Sequence, residues 1–144
     1  MNPYAQDTRR YQHNQINSAN PMQLVILLYE GTLGQISSAI RAIQNGDIEA
    51  RTGHINRACS MIAELEGSLD VQRGGEIASS LHRLYAYITK RLCEANWQNS
   101  IAVLEETQRL LSPLWSAWQQ VAADQNQTAV APTATKPLSL AVNG

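Results

Sequence analysis

The sequence predicts an all-α fold, an antiparallel up-down-up-down four-helix bundle. Apolar residues recur every three to four positions in four segments of similar length. The breaks between those segments are only a few residues long, which forces successive helices to run antiparallel. No run sustains the period-two alternation of a strand. The expected organisation is an N-terminal segment over 1–20, partly ordered and packing on or gating the bundle, the bundle over 21–123, and a disordered tail over 124–144.

The first helix opens at Asn20-Pro21, a capping residue followed by proline at the first helical position, with Gln23 placed to complete a capping box. It closes at Asn45-Gly46, where glycine suits the left-handed turn after a helix. Asp47 caps the second helix, whose seam is Ile55, Ala58, Ile62, Leu65 and Leu69. Gly74-Gly75 marks the second break. The third helix then carries Ile77, Leu81, Leu84, Ile88, Leu92 and Ala95 on one face. Asn99-Ser100 marks the third break, and the last helix presents Ile101, Leu104, Leu111, Trp115, Trp118 and Ala122. Pro113 removes a ladder bond inside that helix, so a kink, or two helices meeting at residue 112, is expected.

Composition narrows the function classes. The chain has 144 residues and a formal net charge of −1, with 11 basic and 12 acidic side chains, and lacks the basic stripe that phosphate binding needs. Residues 1–20 are polar, without the apolar core of a secretory signal, and the longest apolar run, Leu24 to Tyr29, is far too short to span a bilayer. The reading is a cytosolic protein with no nucleic-acid partner and no membrane insertion.

No metal or cofactor is expected. None of the glutamates has a histidine three positions later, and His13, His54 and His82 fall in different segments. Nor is there a nucleophile elbow or a phosphate loop; Gly74-Gly75-Glu76 lacks the strand before it and the lysine behind it. No catalytic residue is assigned, and an enzyme is not expected. The cysteines are Cys59 and Cys93. With the hairpin turning near residues 72–73, Cys59 lies level with residue 86, and the offset to Cys93 is roughly 10 Å along the axis. A disulfide tolerates only about 7 Å between Cα atoms.

The informative excess is apolar surface. Charged residues make up only 16% of the chain while 44% are hydrophobic, and Leu24 to Tyr29 covers every side of the first helix. Ile48 and Met61 lie off the seam of the second helix. Such surface calls for a cover, either the N-terminal segment with Tyr11 and Ile16 or another chain; singly each residue reads as padding of a wide core, and together they point at least as strongly to a helix-binding groove. Tyr85 and Tyr87 sit two apart, so one packs inward with its hydroxyl on a partner and the other stays at a boundary.

The stretches Ser68-Leu69-Asp70, Gly74-Gly75-Glu76-Ile77-Ala78, Leu81, Leu84-Tyr85, Tyr87, Arg91-Leu92 and Ala95-Asn96 resemble the flagellar secretion chaperone FliS family. Tyr11, Ser18-Ala19-Asn20-Pro21, Gln23-Leu24, Leu28-Tyr29-Glu30-Gly31 and Ala117-Trp118 fit the same pattern, so the likeness covers about residues 11–121. Ala86 departs from it, standing where the family commonly has an acidic residue. The resemblance implies a cytosolic, non-enzymatic chaperone that binds the C-terminal segment of flagellin, prevents its premature polymerisation and supports its export. Flagellar export components are further candidate partners, and a homodimer stays open. The residues expected to line or gate the groove are Tyr11, Leu24, Leu27, Ile48, Ile55, Met61, Ile62 and Tyr85, with Ile55 and Ile62 also on the seam. Two other readings compete: a self-associating structural bundle without a client, and a cofactor-carrying bundle.

Overall fold

The computed structural model describes residues 20–130; Tyr11, the rest of the N-terminal segment and the tail beyond 130 lie outside the described residues. Four helices follow in order: α1 (Pro21–Gln44), α2 (Ile48–Gly67), α3 (Val71–Gln98) and α4 (Ile101–Val130). Each packs on two neighbours, α1 and α3 both against α2 and α4, which closes a four-membered ring around one core.

The first helix begins where expected. Asn20 is extended and its Oδ1 accepts the Met22 N–H at 2.9 Å, with Pro21 in the first turn. Gly46 takes a positive φ of 72° after Asn45, and the following N–H, that of Asp47, returns to the Ala42 carbonyl at 2.8 Å. The Asp47 side chain then accepts the Ala50 N–H at 3.0 Å and starts α2.

The second break differs from the expectation. α2 stops at Gly67, Ser68 closes it, and Asp70 already caps α3 by accepting the Arg73 N–H at 3.1 Å. One helical turn forms before Gly75 leaves helical geometry, with φ 58° and ψ −131°. The carboxylate of Asp70 satisfies the donors of that turn, while Gly75 supplies a backbone conformation costly to any residue with a Cβ.

The extra turn moves the apex of the α2–α3 hairpin. Thr52 Oγ1 donates to Asn96 Oδ1 at 3.1 Å, and His82 Nδ1 lies 2.8 Å from Glu66 Oε2. These pairs centre the hairpin near residue 74. The offset between Cys59 and Cys93 therefore shrinks to one turn, about 6 Å. Helical side chains lean toward their own N-terminus, so on antiparallel helices these two lean toward each other. Burial first, and then the Cys93 thiol beside it, push Cys59 up to about 11. Both remain free thiols.

α3 ends on Asn99 in the left-handed region, φ 54°, and Ser100 Oγ caps α4 through the Val103 N–H at 3.1 Å. Two expectations for the last helix are corrected. Pro113 does not divide it; Pro113 sits on the exposed side, where the carbonyl that loses its donor is open to solvent rather than sealed in the core. Nor does helix give way to tail at residue 123: α4 continues to Val130 and reaches 30 residues against 24 for α1.

Tyr29, Ile36, Ile55, Ile62, Leu65, Tyr85, Ile88, Leu92, Leu104 and Leu111 form the centre of the core, and the buried hydroxyls of Thr32 and Thr107 donate to the Leu28 and Leu104 carbonyls. Ile77, expected on the inner face of α3, is 50% exposed, and Ala78 occupies the inward position instead. The departure at Gly75 re-aims the first residues that follow it.

Candidate functional site

At the end of the bundle where α1 starts and α2 turns into α3, the described residues enclose a cavity of about 420 Å³. Its wall comes from four places: Leu24 and Val25 on α1, Leu69 and Asp70 in the turn, Tyr85 on α3, and Trp118 with Gln125 on α4. The lining is mainly apolar. Asp70 is its one charged side chain, and that carboxylate already holds the Arg73 N–H, with the guanidinium 3.7 Å away. Volume and chemistry both suit a cluster of aliphatic side chains from a peptide better than a charged small molecule.

Beneath the cavity Tyr29 and Tyr85 meet hydroxyl to hydroxyl at 2.6 Å, with ring centroids 6.4 Å apart and planes tilted by 59°. Burial raises Tyr29 above the usual phenol value, while hydrogen bonds to Tyr85 and Trp118 pull it part of the way back. Tyr85 is raised further, by burial first and then by Tyr29. Both hydroxyls are therefore neutral and serve as a fixed floor. Tyr87, two residues on, is at the boundary: its hydroxyl donates to Glu106 Oε2 at 2.7 Å, and Arg91 spans Glu106 and Glu94 at 2.7 and 2.8 Å. That cluster pins α3 to α4, and the bonds from Tyr87 and then Arg91 hold the Glu106 carboxyl below its ordinary range.

The flank of the cavity continues as an apolar strip between α1 and α2. Leu27 is 38% exposed, and one turn further Gly31 leaves room for Met61, whose Sδ would stand 2.8 Å from any Cβ placed there. Past that point the seam turns polar, with His54 and Arg57 on Gln35. A hollow on the outer side of α4, lined by Glu105, Gln108, Arg109, Ser112, Pro113 and Ser116, is open, polar and made by one helix, so it offers little to grip.

The expected site residues thus fall into four groups. Leu24 and Tyr85 meet at the cavity, and Leu27 and Met61 border it on the strip. Ile48 is 64% exposed, but it opens α2 at the opposite end of the bundle, the end where α3 finishes. Ile55 and Ile62 are fully buried and present no surface. Tyr11 is outside the described residues. Sequence reasoning did not single out Val25, Leu69 and Trp118 as lining residues; Leu69 and Trp118 read as core positions, and Val25 only as part of the Leu24–Tyr29 run. Trp97, 84% exposed and off the apolar face of α3, carried a legible signal that went unused.

Among the described residues no three His, Cys, Asp or Glu side chains converge as a metal site, and no helix is long and apolar enough to cross a membrane. What the fold offers is an apolar cavity and strip on a rigid helical frame, the equipment of a helical protein-binding module. The model of the family described as "Flagellar protein FliS" matches residues 4–125. The chain is 36% identical over 107 residues to the flagellar secretion chaperone FliS of Salmonella typhimurium, covering 74% of this chain and 79% of that one. It is 37% identical over 107 residues to FliSB of Pseudomonas aeruginosa (74% and 85% covered), and 34% identical over 120 residues to FliS of Bacillus subtilis (83% and 86%). The chain belongs to the flagellar secretion chaperone FliS family. It is a chaperone of flagellar secretion and not an enzyme.

Proposed function

We propose that this chain binds the C-terminal segment of flagellin in the cytosol, keeps it from polymerising prematurely and hands it to the flagellar export apparatus. The cavity carries the reading: an apolar recess of about 420 Å³, continued by the half-exposed Leu27–Met61 strip, is a receiver for amphipathic chain. A segment that is unfolded when free and helical when packed loses ordering entropy on binding, and apolar burial must offset that loss. In this reading Leu24, Leu27 and Met61 touch the client, and Ile48 extends the contact toward the far end. Tyr85, Ile55 and Ile62 support it from beneath, and Tyr11 gates the surface before the client arrives.

The test is a titration of the full chain with a flagellin C-terminal peptide, followed by far-ultraviolet circular dichroism and calorimetry. A gain of helix beyond the sum of the parts, with a negative heat-capacity change, is expected. Leu27→Asp should weaken binding by at least about ten-fold, because a carboxylate would enter apolar surroundings, while helicity stays unchanged. No binding at tens of micromolar, with both partners soluble, removes flagellin as the client.

A further inference from the structure

We infer that the polar half of the groove between α1 and α2 receives carboxylate side chains of the bound client, and so fixes which way the client segment lies; that the client is flagellin rests on the reading above. Along α1 the groove is bordered by Leu27, Gly31, Gln35 and Ser38, spaced four, four and three apart. Along α2 it is bordered by Met61, Arg57 and His54, spaced four and three. The close approach of Gly31 and Met61 lies in the apolar half. Gln35, in contact with both His54 and Arg57, stands one turn further, about 6 Å, and Arg41 stands about 15 Å from Gly31.

The cations in the polar half have no acidic partner. Arg73 is ion-paired with Asp70, and Arg91 with Glu94 and Glu106, whereas Arg41 and Arg57 carry no ion pair among the described residues. Arg41 donates to Ser38 Oγ at 3.0 Å and Arg57 Nε to Gln35 Oε1 at 3.3 Å, both neutral acceptors. Arg41 also suits the negative end of α1, but Arg57 stands in mid-helix and has no such role. The contacts around His54 leave one donor over. Its Nδ1 lies 2.7 Å from Gln35 Oε1 and 3.1 Å from Arg57 Nη2. A ring nitrogen either donates or accepts, and Gln35 Oε1 can only accept. With Nδ1 donating to Gln35, the Arg57 Nη2 donor on that side has no acceptor in the protein and is open to a ligand at the exposed surface. A carboxylate oxygen would supply that acceptor with charge assistance. The local potential is positive: burial first, then Arg57 and Arg41, hold His54 below its ordinary value. Asp47 opposes them, and its Oδ1 already holds the Ala50 N–H at 3.0 Å. A client helix with aliphatic side chains on the Leu27–Met61 strip and Asp or Glu one to three turns along matches both halves. Laid the other way, it would press carboxylates against Met61 and leave the arginines unmatched.

The experiment measures binding of the full chain to a flagellin C-terminal peptide and to a neutral copy, its Asp and Glu replaced by Asn and Gln and its C-terminus amidated. Arg41→Gln with Arg57→Gln should weaken binding of the acidic peptide by about four- to twenty-fold at low salt, two- to five-fold for each arginine, and leave the neutral copy almost unaffected. Raising the salt from about 50 to about 500 mM should remove most of that difference. Arg83→Gln removes an equally exposed cation, held by Ser80 on α3, and should change neither affinity. Circular dichroism of each variant should match the native chain, since all three side chains lie at the surface. Equal loss for both peptides, no loss for either, or the same loss with Arg83→Gln overturns the inference. If no variant binds the flagellin peptide at tens of micromolar, the client reading fails instead. A designed helix then decides, with leucines followed by glutamates one to three turns on, against its glutamine copy. A preference for glutamate that the two arginine substitutions abolish supports the acceptor site for another acidic partner; no preference, or no binding, overturns it.

Discussion

Tyr29 and Tyr85 contribute a single hydrogen bond between two hydroxyls that water cannot reach, and each depends on the other. Removing one leaves its partner buried and less well satisfied, so Tyr85→Phe should cost about 1–3 kcal/mol in urea unfolding. Tyr29→Phe with Tyr85→Phe should cost less than the two single losses added together, because no hydroxyl is then stranded. An additive double variant would mean that the pair is not coupled. The same two residues set an alkaline limit. Both are raised above the phenol value, so folding favours their neutral forms. Their contribution to stability is complete below the unfolded pKa, near 10, and is lost as the pH rises beyond it. Stability measured from pH 8 to 11 should fall at the upper end, and fall less steeply in the double Phe variant.

At the scale of elements, α4 is the helix that disobeys its own sequence. It carries Pro113 in its interior yet runs without interruption from Ile101 to Val130. The packing of Leu104, Leu111, Leu114 and Trp118 on the core holds it in place on both sides of the proline. Tertiary burial here outweighs a local cost of about 3 kcal/mol. Pro113→Ala should therefore raise stability by about 1–3 kcal/mol in denaturant unfolding, since Pro113 is exposed. No gain would show that the helix needs the bend that proline favours. The α2–α3 hairpin teaches the reverse lesson. There local chemistry, the Asp70 cap and the positive φ of Gly75, decides the register of two long helices, and with it how close Cys59 and Cys93 come.

For the whole molecule, the division between sealed core and exposed apolar surface runs through residues of the same type. Ile62 is completely buried, whereas Leu27 is 38% exposed. Ile62→Ala should cost about 2–5 kcal/mol of stability through the cavity it leaves. Leu27→Ala should cost far less while still weakening peptide binding. Thermal melts and binding isotherms on both variants separate the two roles, and equal losses of stability would place Leu27 in the framework. The far end offers a further contrast. Among the described residues Ile48 and Trp97 are the most exposed of the large apolar side chains, and α1 alone puts roughly 36 Å between the two ends. A client that touches only the cavity end will not notice Trp97→Gln, and one that wraps the bundle will.

Four helices, the caps at Asn20 and Asp47, the turn at Gly46 and the family likeness were all legible in the sequence, because each is written in residues close together along the chain. Periodicity says that a residue sits on an apolar face, but not how deep. The seam spacing sets Ile55 and Ile62 apart from Ile48, yet only the neighbouring helices decide that the first two are sealed while Leu27 and Ile48 remain exposed. The cavity was out of reach for the same reason, since its wall draws on α1, the α2–α3 turn, α3 and α4 together. Helix and turn formation are local and so are carried by the sequence itself; burial and enclosed volume depend on elements far apart in the chain, and the tertiary structure alone decided them.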